Sequence, residues 1–432
     1  MSADRYTVLG LARARSEWFG RVSRWATSAA VPADFVKCVS AEELHALLSS
    51  GRVFSAALLD AGLPVVDRDL IAALDAASCP ALVVDAPSST RDWSVIGATA
   101  TLPEELDPLT LLKALTDHAV PVRPGAPAPS APPPARSSEI APAPLAAICG
   151  TGGSGASVAA IALAQGLAGD THNERDRPVL LADLHLRADQ AMLHDARDIV
   201  PGVQELVEAY RNGQPDTRGV QRLTFDVEER GYHLLLGLRR PRYWPSIRPH
   251  AFQAALRGLR RAFSTVVCDI AAEFEGERET GSVDIEDRHV MSRAAVERAA
   301  AVFAVGRPGL TGLHALVRLT DELLGFGVPA ARIVPVLNAA PRSVRARAEL
   351  TRSFGRLVAP IEGAGALPSP VFLTRRSVEQ ALMDGVALPG DLAKKMLGAW
   401  RAIGAEQSVA PPDAAPQPVT PGSLGHWTPQ AS

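Results

Sequence analysis

Between an apolar run and an Ala-rich one, residues 148–160 read ICGTGGSGASVAA. Gly150, Gly152, Gly153 and Gly155 allow a tight turn that aims successive backbone N–H groups at one point, where the N-terminus of the next helix adds its dipole. That combination binds an anion without side-chain charge. Ser157, just inside the helix, offers a hydroxyl to Mg²⁺. Thr151, Ser154 and Ala156 complete the loop, and Thr151 and Ala156 occupy the two positions where a phosphate loop is expected to carry lysine. The spacing of Gly150, Gly152 and Gly155 also satisfies the dinucleotide fingerprint G-x-G-x-x-G, and a ligand-free strand-to-helix turn is a third reading. The loop by itself does not choose among them.

Three polar positions farther along bear on the choice. Asp183 closes the apolar run VLLAD and Asp269 closes TVVCD, placing carboxylates at strand ends where they reach a metal or its water shell. Asn338 ends VPVLN, a place for a base-edge contact. His185, two residues after Asp183, is either a surface histidine or a base, and both aspartates equally suit strand capping. A dinucleotide oxidoreductase needs its ribose acid about 20 residues beyond the glycines. Asp183 lies late for that, and no catalytic His/Lys constellation stands out.

The elements that must position these residues follow from periodicity. After residue 144, apolar runs alternate with amphipathic ones: strand 145–149, helix from about Ser154, strands PVLLAD, YHLLLGL, STVVCD, AAVFAVG and RIVPVLN, with helices between them. Such alternation predicts a doubly wound α/β domain over 145–404. Before residue 121 the same alternation, from YTVLGLA through FSAALLDAGLP to PLTLLKALTDHA, predicts a second parallel sheet over 1–120. Residues 121–144 are Pro, Ala and Ser with almost no large apolar side chain and read as a linker; 405–432 read as a disordered tail.

Bulk composition narrows the function. A net charge of −3 gives no overall basicity for nucleic acid or an acidic membrane face. Arg239, Arg240, Arg242, Arg248, Arg257, Arg260 and Arg261 form one basic stretch, read as a solvated helix face because no aromatic platform accompanies it. The run EFEGERETGSVDIEDRH after Asp269 reads as an exposed acidic loop, placed to oppose phosphate. Cys38, Cys79, Cys149 and Cys268 lack metal-ligand spacing and read as reduced core residues. No apolar stretch is long enough for a signal peptide or a membrane span, so a cytoplasmic protein, recruited to septum, pole or membrane by a partner, is expected. The helix DLAKKMLGAWRAIG places Leu392, Met396, Trp400 and Ile403 on one face, expected to pack on the domain rather than touch a membrane.

The order of motifs across 145–404 resembles the MinD/ParA group of P-loop ATPases, and with a receiver-like domain in front, its CpaE/TadZ-like members. It is most similar to actinobacterial CpaE-like proteins of septum-site determination, which share a lysine-free GGxGAS loop. The resemblance implies ATP or ADP with Mg²⁺ as ligand, Gly152, Gly153, Gly155 and Ser157 as phosphate loop, and Asp269 as the acid of the metal site. It also implies a homodimer and protein partners from the division or Tad pilus and secretion machinery. Thr151 replaces the family's signature lysine, Ala156 its loop lysine, and His185 the second acid of its D-x-D, of which Asp183 keeps the first. Binding without efficient hydrolysis is the expectation; an active ATPase cycle is the alternative.

Residues 1–120 resemble a response-regulator receiver with Asp60 at the end of the third strand. The acidic pair after the first strand is missing, replaced by GLARARSE, as is the lysine after the fifth, where ATLPEEL stands. The resemblance therefore implies a degenerate receiver that binds a partner instead of accepting phosphate.

Overall fold

The computed structural model describes residues 5–13, 16–89, 91–122, 142–170 and 177–409. Five strands, β1 (Tyr6–Leu11), β2 (Ala33–Cys38), β3 (Ala56–Asp60), β4 (Ala81–Asp85) and β5 (Ala100–Pro103), form a wholly parallel sheet in the order β2-β1-β3-β4-β5. That is the flavodoxin-like order of a doubly wound sheet. Helices α1 (Glu17–Thr27), α2 (Ala41–Ser49), α3 (Arg68–Ala76) and α4 (Pro108–His118) cover its faces. Ser40, Asp67 and Asp107 start three of them by accepting a backbone N–H from inside the first turn. Among the described residues between β4 and β5 the helical element is a 3₁₀ turn, Ser94–Ile96.

The second sheet comprises β6 (Leu145–Gly150), β7 (Val179–Leu184), β8 (Phe225–Val227), β9 (Tyr232–Leu235), β10 (Thr265–Ile270), β11 (Ala301–Gly306), β12 (Ile333–Ala340) and β13 (Val371–Thr374). Its order is β13-β12-β11-β6-β10-β7-β9-β8, parallel except where β8 runs against β9. Strands β8 and β13 are too short to have been legible as apolar runs. The connecting helices are α5 (Ala156–Ala168), α6 (Gln190–Leu193), α7 (Val203–Asn212), α8 (Thr217–Gln221), α9 (Pro249–Ala262), α10 (Glu277–Thr280), α11 (Val283–Arg288), α12 (Val290–Arg298), α13 (Leu310–Gly325), α14 (Val344–Val358), α15 (Glu379–Met383) and α16 (Gly390–Val409).

Several expectations change. The acidic run after Asp269 is not a loop: it folds into α10 and α11, because Gly276 and Ser282 open short helices with acids in their first turns. Helix α16 runs to Val409, five residues past the expected domain end, and the expected tail from 410 lies outside the described residues. Most of the expected linker, 123–141, lies outside them too, but its edges are held: Val122 donates to the carbonyl of Arg5, and buried Ala143 exchanges bonds with Arg260. Leu392, Met396 and Ile403 of α16 are buried in the core cluster that contains α5. All four cysteines are free and buried, and burial pushes the Cys38 thiol up to about 11 and Cys79 up to about 12, so neither is a nucleophile at neutral pH.

The two sheets are not joined only by a linker. Helix α3 packs on α7 and α9. Asp69 accepts from the backbone N–H of His250 at 2.9 Å and of Ala251 at 3.3 Å, capping α9 from another unit. Its neighbour Arg68 donates to the carbonyls of Tyr210 at 2.8 Å and Gly213 at 2.9 Å, at the end of α7. Arg211 donates to Asp67 and to the Pro64 carbonyl. An anion thus sits at one helix N-terminus and a cation at another's C-terminus, both with the favourable sign.

Asp60 is 1% exposed and fully engaged. Its oxygens accept from the Arg13 backbone N–H, the Arg13 guanidinium, the Ser16 hydroxyl at 2.6 Å and the Gly62 N–H at 2.9 Å. The other arginine of that segment, Arg15, is outside the described residues. Burial alone would raise the Asp60 pKa; the bonds from Arg13, Ser16 and Gly62 outweigh it and hold the carboxyl below its usual value. A depressed pKa contributes stability above the ordinary Asp value of about 3.9, lost as pH falls through the lower folded value. In melts between pH 7 and pH 2, Asp60→Asn should therefore be less stable than the parent at neutral pH, with the gap closing below about pH 4. A gap unchanged at pH 2.5 would show that Asp60 acts only through its shape.

Candidate functional site

β6 is the central strand at which the sheet order reverses, with β11 on one side and β10 on the other. Clefts form at such points, at the carboxyl ends of the strands. The glycine loop occupies it. Gly153 and Gly155 adopt φ of +76° and +87°. A Cβ on Gly155 would lie 2.1 Å from Asn338 Nδ2, so both backbone angle and space demand glycine. Ser154 closes the turn by donating its N–H to the Thr151 carbonyl. Gly155 then caps α5, and the loop lines a cleft of about 780 Å³ together with His185, Arg187, Asp189, Glu273 and Arg288.

Asn338 does not present its amide to a base. Its Nδ2 donates to the Ser154 carbonyl at 2.9 Å and its Oδ1 accepts from Ala339, which holds φ of +53°. It is a clamp on the loop. Replacing Gly155 with Ala should expel that clamp and force a disfavoured φ, costing about 1–3 kcal/mol. The expected readout is a lowered melting temperature with nucleotide binding lost; unchanged binding would mean that this loop conformation is not the one that binds.

Asp183 and Asp269 face each other in register on adjacent β7 and β10. Both are buried, at 0% and 1% exposure. Asp183 accepts from the backbone N–H of His185 at 3.1 Å and of Gln190 at 2.9 Å. Gln190, itself buried, extends Nε2 to Asp269 Oδ2 at 2.7 Å and to the Ser157 carbonyl at 3.3 Å. Asp269 Oδ1 has no partner among the described residues. Burial, then the neighbouring Asp269, drives the Asp183 pKa well up. Asp269 is raised too, by burial first, against the lowering effect of His185, Gln190 and Ser157. Two buried acids whose pKa values both rise form a site that calls for a shared proton or a cation.

Magnesium with a nucleotide fits this donor set. Asp269 Oδ1 is free to accept it, Ser157 flanks the same carboxylate, and Gln190 orients the other oxygen. Among the described residues no group of three His, Cys, Asp or Glu could hold an ion alone. Phosphate oxygens and water would complete the shell, as Mg²⁺ prefers. The burial of Asp183 also removes the ribose acid that a dinucleotide oxidoreductase requires.

No family model matches the sequence and no curated protein matches it. Solved structures similar to this chain are ParA- and MinD-type ATPases. A ParA family ATPase from Chlorobium tepidum is 17% identical, with a TM-score of 0.46, over 59% of this chain and 98% of its own. The cell division ATPase MinD from Pyrococcus furiosus is 14% identical, TM-score 0.41, over 60% and 99%. An ATP complex of a Cyanothece McdA variant is 16% identical, TM-score 0.40, over 61% and 96%.

The sequence thus indicated the loop, Asp183, Asp269 and Asn338, and the structure brings them to one edge of the sheet. His185 lines the cleft, and its backbone N–H is given to Asp183. Of the basic stretch, Arg239 is paired with Glu205, while Arg260 is turned to Ala143. Gln190, Arg288, Arg307 and Arg375 were not foreseen as site residues, although Arg288 lies in the acidic run after Asp269; the fold carries them to the loop. Among the described residues no helix is long and apolar enough to cross a membrane.

Proposed function

We propose that this chain is a regulatory or localisation protein of the MinD/ParA kind, CpaE/TadZ-like in layout, that binds Mg-nucleotide in a lysine-free loop and hydrolyses it poorly. The observation that supports this best is the unpartnered Asp269 oxygen beside Ser157, in the first turn of the helix that the glycine loop opens. In this reading residues 1–120 are a degenerate receiver that selects a partner, and the nucleotide state sets how the chain dimerises or docks during septum placement or positioning of a Tad pilus or secretion machine. Calorimetry with ATP and ADP in Mg²⁺ tests the binding. No heat at millimolar nucleotide, with partner capture unchanged in Gly155→Asp, would reduce the loop to a structural turn.

The receiver part carries its own test. Arg13 and Ser16 occupy the place where phosphoryl chemistry needs a metal, so a small phosphodonor with Mg²⁺ should add no mass at Asp60. Stoichiometric addition lost in Asp60→Ala would overturn it.

An active ATPase cycle is the second reading, and one observation favours it. Arg187 and Arg288 line the loop's cleft with no ion-pair partner among the described residues and can bring cations to a phosphate.

A further inference from the structure

The glycine loop separates two clefts of different charge. Over the acid pair, Arg187 and Arg288 are balanced by Asp189 and Glu273 in the same lining. A second cleft of about 520 Å³ opens at Gly153 on the other flank, edged by Arg307, Arg375 and Arg376. The fold gathers these arginines. Arg307 follows the last residue of β11, Arg375 follows the last residue of β13, and β12 with its Asn338 clamp runs between those two strands.

Not all of that charge is available. Arg376 grips Asp391 through Nε and Nη2 at 2.7–3.2 Å. Glu379, the acid in the lining, is turned back on Ser377 and the Val378 N–H. Arg307 and Arg375 are exposed and have no acid partner among the described residues, so with Glu379 still ionised in the lining the cleft keeps one net positive charge. The Thr374 hydroxyl, which accepts from Arg347, keeps its proton as a further donor. No aromatic ring lines the cleft, so a base entering it finds no stacking surface, and Asn338 has already committed its amide to the loop. Paired guanidinium groups over a hydroxyl match a phosphate.

Gly153 lines both clefts, and a side chain there would meet nothing within 4 Å. A ligand can therefore pass over it from one cleft to the other. We propose that the Arg307/Arg375 cleft is a second phosphate subsite, and that the ligand of this chain is a nucleotide phosphorylated on its ribose as well as at its 5′ end. This rests on the nucleotide reading above.

Calorimetry on the full chain with two matched pairs tests it: AMP against adenosine 3′,5′-bisphosphate, and GDP against its 3′-diphosphorylated form. The ribose-phosphorylated member of each pair should bind about ten to a hundredfold more tightly, one or more charged hydrogen bonds' worth. In Arg307→Gln/Arg375→Gln that preference should vanish while GDP affinity stays put. Both side chains are exposed, so an unchanged melting curve is expected to accompany the loss. Equal affinity within each pair would overturn the second subsite and leave nucleotide binding intact. Equal weakening of GDP and its 3′-form in the double variant would assign the arginines to the 5′ phosphates and also overturn it. Binding of none of the four would fell the nucleotide reading and this inference with it.

Discussion

Incubated with ATP and Mg²⁺, the purified chain should release phosphate about a thousandfold or more slowly than a lysine-bearing P-loop ATPase, because a cation supplied to the transferring phosphoryl group is worth that much or more in related chemistry. Thr151 and Ala156 bring no charge to the loop, and His185 stands where the resemblance implies a second, water-activating acid. A phosphate-release assay beside calorimetry separates binding from turnover. Brisk turnover abolished by Asp269→Ala would show that Arg187 or Arg288 replaces the lysines, and the ATPase reading would win.

The converse experiment starts from where the two methyl-bearing side chains sit. Thr151 is exposed on the loop, so Thr151→Lys costs the fold little. Ala156 is 8% exposed yet lines the cleft, so a lysine stem there has to leave toward the ligand rather than into the core. With loop geometry intact, the double replacement should raise nucleotide affinity about ten to a hundredfold, the value of a charged hydrogen bond to phosphate. No gain would mean that the loop no longer aims its N–H groups at a phosphate.

What the sequence disclosed and what it hid divide by range. The strands carrying Asp60, Asp183 and Asp269 were legible because buried parallel strands are continuous apolar runs. The loop was legible because its glycines are close together and followed by a helix. Asn338 was found but misread, because nothing local distinguishes an amide aimed at a ligand from one aimed at Ser154, 184 positions away. Arg13 stood out as a misplaced charge in GLARARSE, but its grip on Asp60 depends on β1 and β3 being neighbours. Asp69 was invisible for the same reason: a carboxylate in a helix's first turn ordinarily serves its own helix, and this one serves α9.

That cap leads to the second large effect. Cleavage within 123–141 should give two fragments that elute together, because Arg68, Asp69 and Arg211 tie α3 to α7 and α9. Burial pushes the Asp69 carboxyl above its usual range despite the bond from His250, so part of its bonding energy is already offset by desolvation. Removing it is still costly, since Asp69→Ala orphans two N–H groups at a helix start. The loss should be about 1.5–3 kcal/mol, weakening fragment association roughly ten to a hundredfold. Asp69→Lys should weaken it further by setting a cation against the positive end of α9 beside Arg248, whose charge already acts on Asp69. Asp69→Asn, which keeps one carbonyl acceptor, should fall between the parent and Ala. Sedimentation of the cut protein reads the series directly. Fragments of the parent that separate at micromolar concentration would show that the linker alone holds the units together, whereas equal association in the parent, Asn, Ala and Lys forms would place the docking energy in the apolar contacts of α3 rather than in its charges.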